Sequence, residues 1–275
     1  MLNANYHTHT YRCGHAVGKE EEYILEALSM GLAEIGISDH AMYPDYDEPG
    51  LRGSFSLNAE YFRSVRALQQ KYKDRIKVLL GYEAEYFQPY IPYLKELLMT
   101  GGIDYLLLGN HSSMNERHQV YARYGRSPTA NNIYLYCETA CQAMRTGLYS
   151  CFVHPDLFLA EVPYFDLDCR RVSRELIRTA MECQIPLEIN CGGIRSGKKR
   201  IGDNYRWCYP TYSFFQMASR MGAECIIGID AHAPKQLSDP LANAEAVRFA
   251  RELGLQVIDR LKLKKIENHQ EVKHG

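Results

Sequence analysis

Short apolar segments alternate with longer amphipathic segments along almost the whole of this 275-residue chain. The short segments are typical of buried strands, and the longer ones have the periodicity of helices that bury one face. Strands that alternate with helices form βα units, in which successive strands run parallel. We predict strands at residues 3–7, 33–38, 76–82, 105–109, 151–153, 186–189 and 224–229, and helices at residues 19–30, 58–73, 92–99, 131–146, 168–183, 210–221 and 241–253.

The βα units follow one another without a break. No low-complexity tract, internal repeat or Gly/Ser-rich linker divides the sequence. A long uninterrupted series of such units favours a closed or nearly closed barrel over an open sheet. We therefore predict a single domain over residues 1–275. Residues 260–275, which include His269 and His274, are charged and are expected to fray into solvent.

Charge and cysteine content limit the classes of partner and compartment. The chain has 32 Lys and Arg against 33 Asp and Glu, which argues against a protein that coats nucleic acid or anionic membranes. A polar N-terminus, and no apolar run of roughly 18 residues, predict neither a signal peptide nor a membrane span. Nine cysteines without a CxxC pair are typical of the reduced thiols of a cytoplasmic enzyme. The sequence leaves the oligomeric state open.

Side chains that can bind metals occur at the ends of the predicted strands. In barrel enzymes the C-terminal ends of the strands form the active site, where residues distant in the chain become neighbours. Random placement of the chain's ten histidines would not put so many of them at that edge. In chain order these side chains are His7, His9, His40, Glu83, Glu85, His111, His154, Asp230 and His232.

Spacing suggests how some of these side chains act. Residues two apart on a strand point to one side, so His7 and His9 can bind one ion. His15 follows a glycine in a loop that can turn its imidazole towards the same place. Asp39 precedes His40 and could be a ligand, an acceptor that orients a ligand, or a turn residue; we favour the second.

The two glutamates of the third strand have different predicted roles. Glu83 is the candidate for a carboxylate that bridges two ions, because each of its oxygens can bind one ion. Glu85 could equally be structural or functional. Asp156, in a His-Pro-Asp segment, is interpreted as a turn or capping carboxylate.

This ligand chemistry predicts hydrolysis. Imidazoles and carboxylates without a thiolate motif suit Zn²⁺, Mn²⁺ or Fe²⁺ better than Mg²⁺. Ions a few ångströms apart can lower the pKa of a shared water to about 7 and thereby form a hydroxide nucleophile. They also neutralise a phosphate and stabilise the entering and leaving oxygens of an in-line attack. The predicted substrate is therefore a small phosphate ester.

A basic loop follows the sixth predicted strand. The loop begins with Arg195, and a guanidinium can form two parallel hydrogen bonds to a phosphate. Lys198, Lys199, Arg200 and Arg206 are interpreted as solvated charges. His118 lies in the loop after the fourth strand and would contact substrate only if that loop closes over the site.

The ordered motifs HTHT, CGH, SDH, GYEAE, GNH, HPD and IDAH resemble those of the polymerase and histidinol phosphatase (PHP) superfamily, over residues 3–234. The chain length and the segment EINCGGIR, followed by Tyr209-Pro210, resemble its histidinol-phosphate phosphatase branch. The sequence departs from that pattern at Asn110 and Ile229, which leaves the ligands intact. The resemblance implies an α/β fold, a distorted (β/α)7 barrel with the metal site at the C-terminal ends of the strands.

The resemblance also implies a ligand set and an activity. Glu83, Asp230 and His232 would be catalytic, Arg195 would bind phosphate, and two to three ions would be bound. The implied reaction is hydrolysis of L-histidinol phosphate in histidine biosynthesis. The alternatives are another PHP phosphoesterase, acting on nucleotide or sugar phosphates, and a catalytically silent metal-binding barrel. The implied ligand sets are His7, His9, Glu83 and Asp230 for one ion; Glu83, His111 and His154 for a second; and His15, His40 and His232 for a third.

Overall fold

The computed structural model describes residues 2–125 and 129–266, which contain helices packed around a mainly parallel sheet. The strands are β1 (Ala4–Asn5), β2 (Glu34–Ile37), β3 (Lys77–Ala84), β4 (Tyr105–Leu108), β5 (Ser112–Met114), β6 (Val120–Arg123), β7 (Cys151–Phe152), β8 (Leu187–Asn190), β9 (Lys199–Ile201), β10 (Asn204–Arg206), β11 (Glu224–Gly228) and β12 (Gln256–Val257). The helices are α1 (Glu20–Ser29), α2 (Asn58–Tyr72), α3 (Ile91–Met99), α4 (Ala130–Arg145), α5 (Leu167–Glu182), α6 (Cys191–Arg195), α7 (Tyr212–Met221), α8 (Pro234–Leu237) and α9 (Pro240–Leu253).

The main sheet has the order β1-β2-β3-β4-β7-β8-β11-β12, and each pair of neighbours is parallel. Its first and seventh strands meet beyond their ends, where Thr8 pairs with Ala231. The amide of His9 donates to the carbonyl of Ala231 at 2.9 Å, and the amide of Ala231 donates to the carbonyl of His7 at 3.3 Å. The predicted α/β barrel is confirmed, and its closure lies at the edge where the predicted site residues are. Its seven predicted strands are joined by an eighth, β12, which pairs with β11.

The central strands of the sheet are buried on both faces. All residues of β2, β4 and β8 are buried, as expected where helices cover one face of the sheet and the barrel interior covers the other. The helices cover the outside with apolar stripes: α5 buries Val172, Leu176 and Ile177 among others. Its first turn is capped by the carboxylate of Asp166, which accepts from the amide of Cys169 at 2.9 Å.

Side chains fill the interior of the barrel away from the carboxyl ends of the strands. Tyr6, Leu79, Tyr105, Leu107 and Ile226 belong to one buried cluster. The hydroxyl of Tyr105 donates to the carbonyl of Tyr6 at 2.6 Å, so this polar group is satisfied inside the barrel. The interior is therefore a packed core rather than a pore, and a ligand can enter only from the carboxyl end of the strands.

Three features differ from the sequence prediction. Short hairpins, β5–β6 and β9–β10, follow β4 and α6 respectively, and β8 runs directly into α6. Arg206 is not solvated: its guanidinium donates to four backbone carbonyls, those of Trp207, Cys208, Leu159 and Val162. Glu83 lies within β3, which continues to Ala84.

The prediction that residues 260–275 fray into solvent is wrong for residues 260–266. The amide of Leu261 donates to the Tyr6 hydroxyl at 3.2 Å, and the amide of Lys264 donates to Ser150 Oγ at 3.0 Å. These contacts hold the segment against the amino end of the barrel. His269 and His274 lie outside the described residues. Within residues 2–125 and 129–266, none of the helices has the length and apolar character needed to cross a bilayer.

Candidate metal centre

The predicted ligands converge on one pocket at the carboxyl end of the strands. The pocket has a volume of about 170 Å³. His7 lies just beneath it, with its Nε2 3.0 Å from Nε2 of His9. Every predicted ligand is therefore in one place, although the role of each as a metal ligand stays a prediction. The lining residues are His9, His15, His40, Leu51, Glu83, His111, His154, Leu157, Tyr209, Asp230 and His232.

Four of the predicted ligands have the spacing of a tetrahedral metal site. They are His7, His9, Glu83 and Asp230. Nε2 of His7 and Nε2 of His9 are each 3.3 Å from Oε2 of Glu83. Both nitrogens are also 3.4 Å from Oδ1 of Asp230. An ion bound tetrahedrally by nitrogen and oxygen at roughly 2.0–2.1 Å separates its ligand atoms by roughly 3.3 Å. The set therefore fits a divalent transition ion.

Glu83 faces two groups of imidazoles, one with each oxygen. Its Oε2 faces His7 and His9 and lies 3.2 Å from Nδ1 of His40. Its Oε1 is 2.8 Å from Nε2 of His154 and 3.2 Å from Nε2 of His111. A side chain at Gly109 would put Cβ only 2.3 Å from Oε1, so a glycine is needed beside it. This is the geometry expected of a bridging carboxylate.

The remaining imidazoles form the outer edge of the pocket. Nε2 of His15 and Nε2 of His232 are 3.0 Å apart, and the His15 ring lies 5.4 Å from the His40 ring. Groups of three with ligand atoms within 4.8 Å of one another include His9, His40 and His232. Nδ1 of His9 and Nδ1 of His154 are buried without a hydrogen-bond partner among the described residues. So many crowded nitrogens fit metal binding better than a hydrogen-bonded core.

Cys13, His9 and Asp39 form another group whose possible ligand atoms lie within 4.8 Å of one another. Burial and the charge of Asp39 raise the pKa of the Cys13 thiol to about 12. Its Sγ donates to the carbonyl of Thr10 at 3.2 Å. A protonated thiol is a poor ligand, so Cys13 belongs to the core. Asp39 accepts from the amide and hydroxyl of Thr10 at 2.5 and 2.6 Å and thus fixes the loop that follows His9.

The electrostatics of the pocket favour a cation. Burial alone would raise the pKa of Glu83 and of Asp230, but the neighbouring histidines outweigh it and hold both well below their usual range. Burial would lower the pKa of His111, but Glu83 and Glu85 raise it to about 10. At the rim, burial and the charge of His9 lower the pKa of His232 to about 4. The inner carboxylates are therefore ionised at neutral pH, and His232 is neutral, with a lone pair on one ring nitrogen.

Two predicted ligands have strained backbones. His154 and Asp230 have φ values of +33° and +51°. This left-handed conformation costs roughly 1–2 kcal/mol for each non-glycine residue. Nη2 of Arg195 donates to the carbonyls of Ile229 and Asp230, at 2.8 and 2.5 Å. Arg195 thus stabilises the turn that presents Asp230. Strain that the fold maintains in this way is typical of functional sites.

Neither predicted substrate contact lies in the pocket lining. Nη1 of Arg195 is buried and has no partner among the described residues, so one donor is available beside Asp230. His118 is exposed in the turn between β5 and β6, and its Nδ1 is 2.8 Å from the hydroxyl of Tyr90. The roles of Arg195 and His118 stay predictions.

The groups that support the ligands were not predicted from the sequence. Glu188, in the middle of β8, has Oε1 2.8 Å from Nδ1 of His7. Arg52 is buried and donates to Oε1 of Glu85 at 2.9 Å, and the same oxygen is 3.1 Å from Nδ1 of His111. An acidic residue between two apolar residues of a strand, Leu187 and Ile189, was the available signal for Glu188. Arg52 had no such signal, because it lies in a loop of unremarkable composition.

Known proteins resemble this chain over most of its length. A Deinococcus radiodurans protein named "Probable histidinol-phosphatase" is 26% identical over 251 residues, which are 90% of this chain and 92% of that protein. The histidinol-phosphatase of Lactococcus lactis subsp. lactis is 24% identical over 200 residues, 69% of this chain and 72% of that protein.

The fold is also that of a solved structure. Histidinol phosphate phosphatase of Lactococcus lactis subsp. lactis, solved with zinc, L-histidinol and phosphate, superposes with a TM-score of 0.69 at 19% identity. The match covers 95% of this chain and 99% of the other. The model of the PHP domain family matches residues 5–192. With the motifs that converge here, this match shows that the chain belongs to the PHP domain family.

Proposed function

We propose that this protein is a metal-dependent phosphomonoesterase that hydrolyses L-histidinol phosphate to L-histidinol and phosphate, a step of histidine biosynthesis. The observation that carries the proposal is Glu83, which lies between two groups of imidazoles in a pocket open to small molecules. The relatives named histidinol-phosphatase support this choice of substrate. Nine free cysteines support a cytoplasmic location, because thiols persist in reducing compartments.

Two to three divalent transition ions would be held by three sets of side chains. Zinc, manganese and iron all suit imidazole and carboxylate donors. When bound, the ions would supply Lewis-acid chemistry that activates a water and neutralises the phosphate. The proposed sets are His7, His9, Glu83 and Asp230; Glu83, His111 and His154; and His15, His40 and His232.

The chain's own groups prepare the pocket for this reaction. Glu83 and Asp230 are almost fully buried and ionised, so they hold negative charge where little water can screen it. His232 is at the rim, with 26% of its side chain exposed, and is neutral at neutral pH. It can therefore accept a proton or bind an ion. Leu51 and Leu157 form the apolar part of the lining.

Turnover of a panel of phosphate esters by the metal-reconstituted protein tests the substrate. We expect kcat/KM for L-histidinol phosphate to exceed the values for nucleotide and sugar phosphates and for p-nitrophenyl phosphate. A higher value for a nucleotide or sugar phosphate would identify another PHP phosphoesterase. No turnover of any ester at full metal content would identify a silent metal-binding barrel.

Arg195 is proposed to contact the substrate phosphate through its buried, unpartnered Nη1. Arg195→Lys keeps the charge and loses the planar guanidinium. A hydrogen bond to a charged group contributes roughly 1.5–3 kcal/mol, so we expect kcat/KM to fall at least about tenfold. Lys198→Ala and Lys199→Ala are the matched controls. Lys198 packs over Trp207 and Lys199 pairs with Glu161, so both variants should stay within a few-fold of wild type.

Metal content shows how Arg195 acts. A phosphate contact leaves the metal content of Arg195→Lys unchanged, because arginine does not bind cations. The contacts of Arg195 with the carbonyls of Ile229 and Asp230 give a specific alternative. If the arginine acts only by holding Asp230, the variant loses metal together with activity. Equal small losses in all three variants would contradict a specific phosphate contact.

A further inference from the structure

The strand β8 contributes none of the proposed metal ligands, but two of its side chains contact ligands from three other segments. Glu188 and Asn190 are each only 1% exposed. They lie two residues apart on the strand and therefore point to the same side, towards the barrel axis. We infer that Glu188 and Asn190 are positioning residues that fix the orientation of His7, His154 and Asp230 for metal binding. This inference rests on the metal site of the proposed function.

Glu188 makes a contact with each of two ligand segments. Its Oε1 is 2.8 Å from Nδ1 of His7, and its Oε2 accepts from the amide of His154 at 3.0 Å. A carboxylate can only accept, so Nδ1 of His7 must carry the proton. In the neutral imidazole that binds an ion, the lone pair then lies on Nε2, the atom that faces Glu83 and Asp230. Glu188 thus selects the tautomer that can bind an ion.

Asn190 extends these contacts to Asp230. Its side-chain amide donates to Oε2 of Glu188 at 2.8 Å and to Oδ2 of Asp230 at 3.2 Å. Its carbonyl oxygen accepts from the amide of Gly193, which caps the start of α6. Because Oδ2 of Asp230 is held by Asn190, the other oxygen, Oδ1, is left facing the imidazoles of His7 and His9.

The neighbouring strand leaves room for this arrangement. A Cβ at Gly228, on β11, would lie 1.8 Å from Oε1 of Glu188. Only glycine allows the carboxylate to pass β11 and reach His7, which lies on the far side of that strand in the barrel order. The contact between Glu188 and His7 therefore depends on the absence of a side chain at Gly228 of β11.

Metal affinity, measured without turnover, tests the inference. Glu188→Gln keeps the shape but removes the charge that holds Nδ1–H of His7. Loss of a carboxylate behind a ligating histidine weakens metal binding by roughly 10–100-fold. We expect that shift in the zinc or manganese dissociation constant, measured by competition with a chromophoric chelator. Far-UV circular dichroism of the metal-free protein reports whether the variant is folded.

Glu34→Gln is the matched control. Glu34 is also a buried glutamate of the barrel, 6% exposed, and accepts from the Tyr6 hydroxyl at 2.6 Å. It lies at the amino end of β2, far from the pocket. This variant should lower stability without changing metal affinity. An affinity of Glu188→Gln equal to that of Glu34→Gln would overturn the inference.

Asn190→Ser keeps the test decisive if Glu188→Gln does not fold. Serine can still cap α6, but it cannot donate to both Glu188 and Asp230 as the amide does. We expect weaker metal binding with helix content unchanged, and wild-type affinity would overturn the positioning role. Failure of the proposed metal site itself is distinguishable, because the wild-type protein would then bind no ion in the same titration.

Discussion

Substitution of Glu83 by glutamine is expected to remove at least one ion per chain and to lower kcat by more than about a thousandfold. The amide keeps the shape of the side chain but cannot offer an anionic oxygen to each of two cations. Oε2 lies among His7, His9 and His40, whereas Oε1 faces His111 and His154. Elemental analysis and steady-state kinetics on the same preparation measure both effects.

Glu85→Gln provides the internal contrast. Glu85 is as buried as Glu83 and only two residues away, but its charge is balanced by Arg52. The charge of Arg52 offsets the effect of burial and lowers the pKa of Glu85 to about 2. Removing one partner of a buried ion pair costs roughly 3–5 kcal/mol, so this variant should lose stability. Because the carboxylate also contacts Nδ1 of His111, metal affinity should fall as well, but without the loss of an ion that is expected for Glu83→Gln. A Glu83→Gln protein with full metal content and most of its kcat would show that another group bridges the ions.

The placement of the ligands could be predicted because it follows from a general property of parallel barrels. Side chains at the carboxyl ends of the strands meet at one edge, whatever their separation in sequence. His7 and Asp230 are far apart in the chain, yet their segments are joined by the Thr8–Ala231 pairing. The alternation of apolar strands and helices therefore determined both the fold and the members of the candidate site.

The supporting residues could not be predicted in this way. The role of Glu188 depends on which strand lies beside which, and on the space left by Gly228. Arg52 reaches Glu85 from a loop whose path is set by tertiary contacts. The phosphate contact of Arg195 was predicted from the family resemblance, whereas its contact with the carbonyl of Asp230 requires the strained turn at that residue. Contacts that support the ligands in this way depend on how the elements pack and not on the spacing of residues in the sequence.

The extended tail was missed for a related reason. Residues 260–266 are mostly charged, and a charged segment without periodicity is typical of a solvated terminus. Their order comes from a few hydrogen bonds to the barrel, such as that from the amide of Lys264 to Ser150. A sequence pattern does not show which backbone groups will find such partners.

Removal of the metal ions is expected to abolish turnover. We expect the purified protein to contain two to three transition-metal ions per chain, because the three ligand sets exceed what one ion can coordinate. Dialysis against a chelator should eliminate phosphatase activity, and Zn²⁺, Mn²⁺ or Fe²⁺ should restore it. Mg²⁺ should restore little, because it prefers oxygen ligands and an octahedral site.

The metal-free protein should also be less stable. An ion that binds only the folded state stabilises it by about 2.7 kcal/mol at a free concentration one hundred times its dissociation constant. Without ions, Glu83 and Asp230 remain buried with only histidines to balance their charge. Thermal unfolding before and after chelation measures the difference, and re-addition of metal is the control for irreversible damage. One ion or fewer per chain after reconstitution in excess metal, or full turnover after chelation, would contradict the multinuclear site. Retention of two to three ions by Lys198→Ala and Lys199→Ala, against loss from Glu83→Gln, would show that binding occurs at the pocket and not at the basic loop.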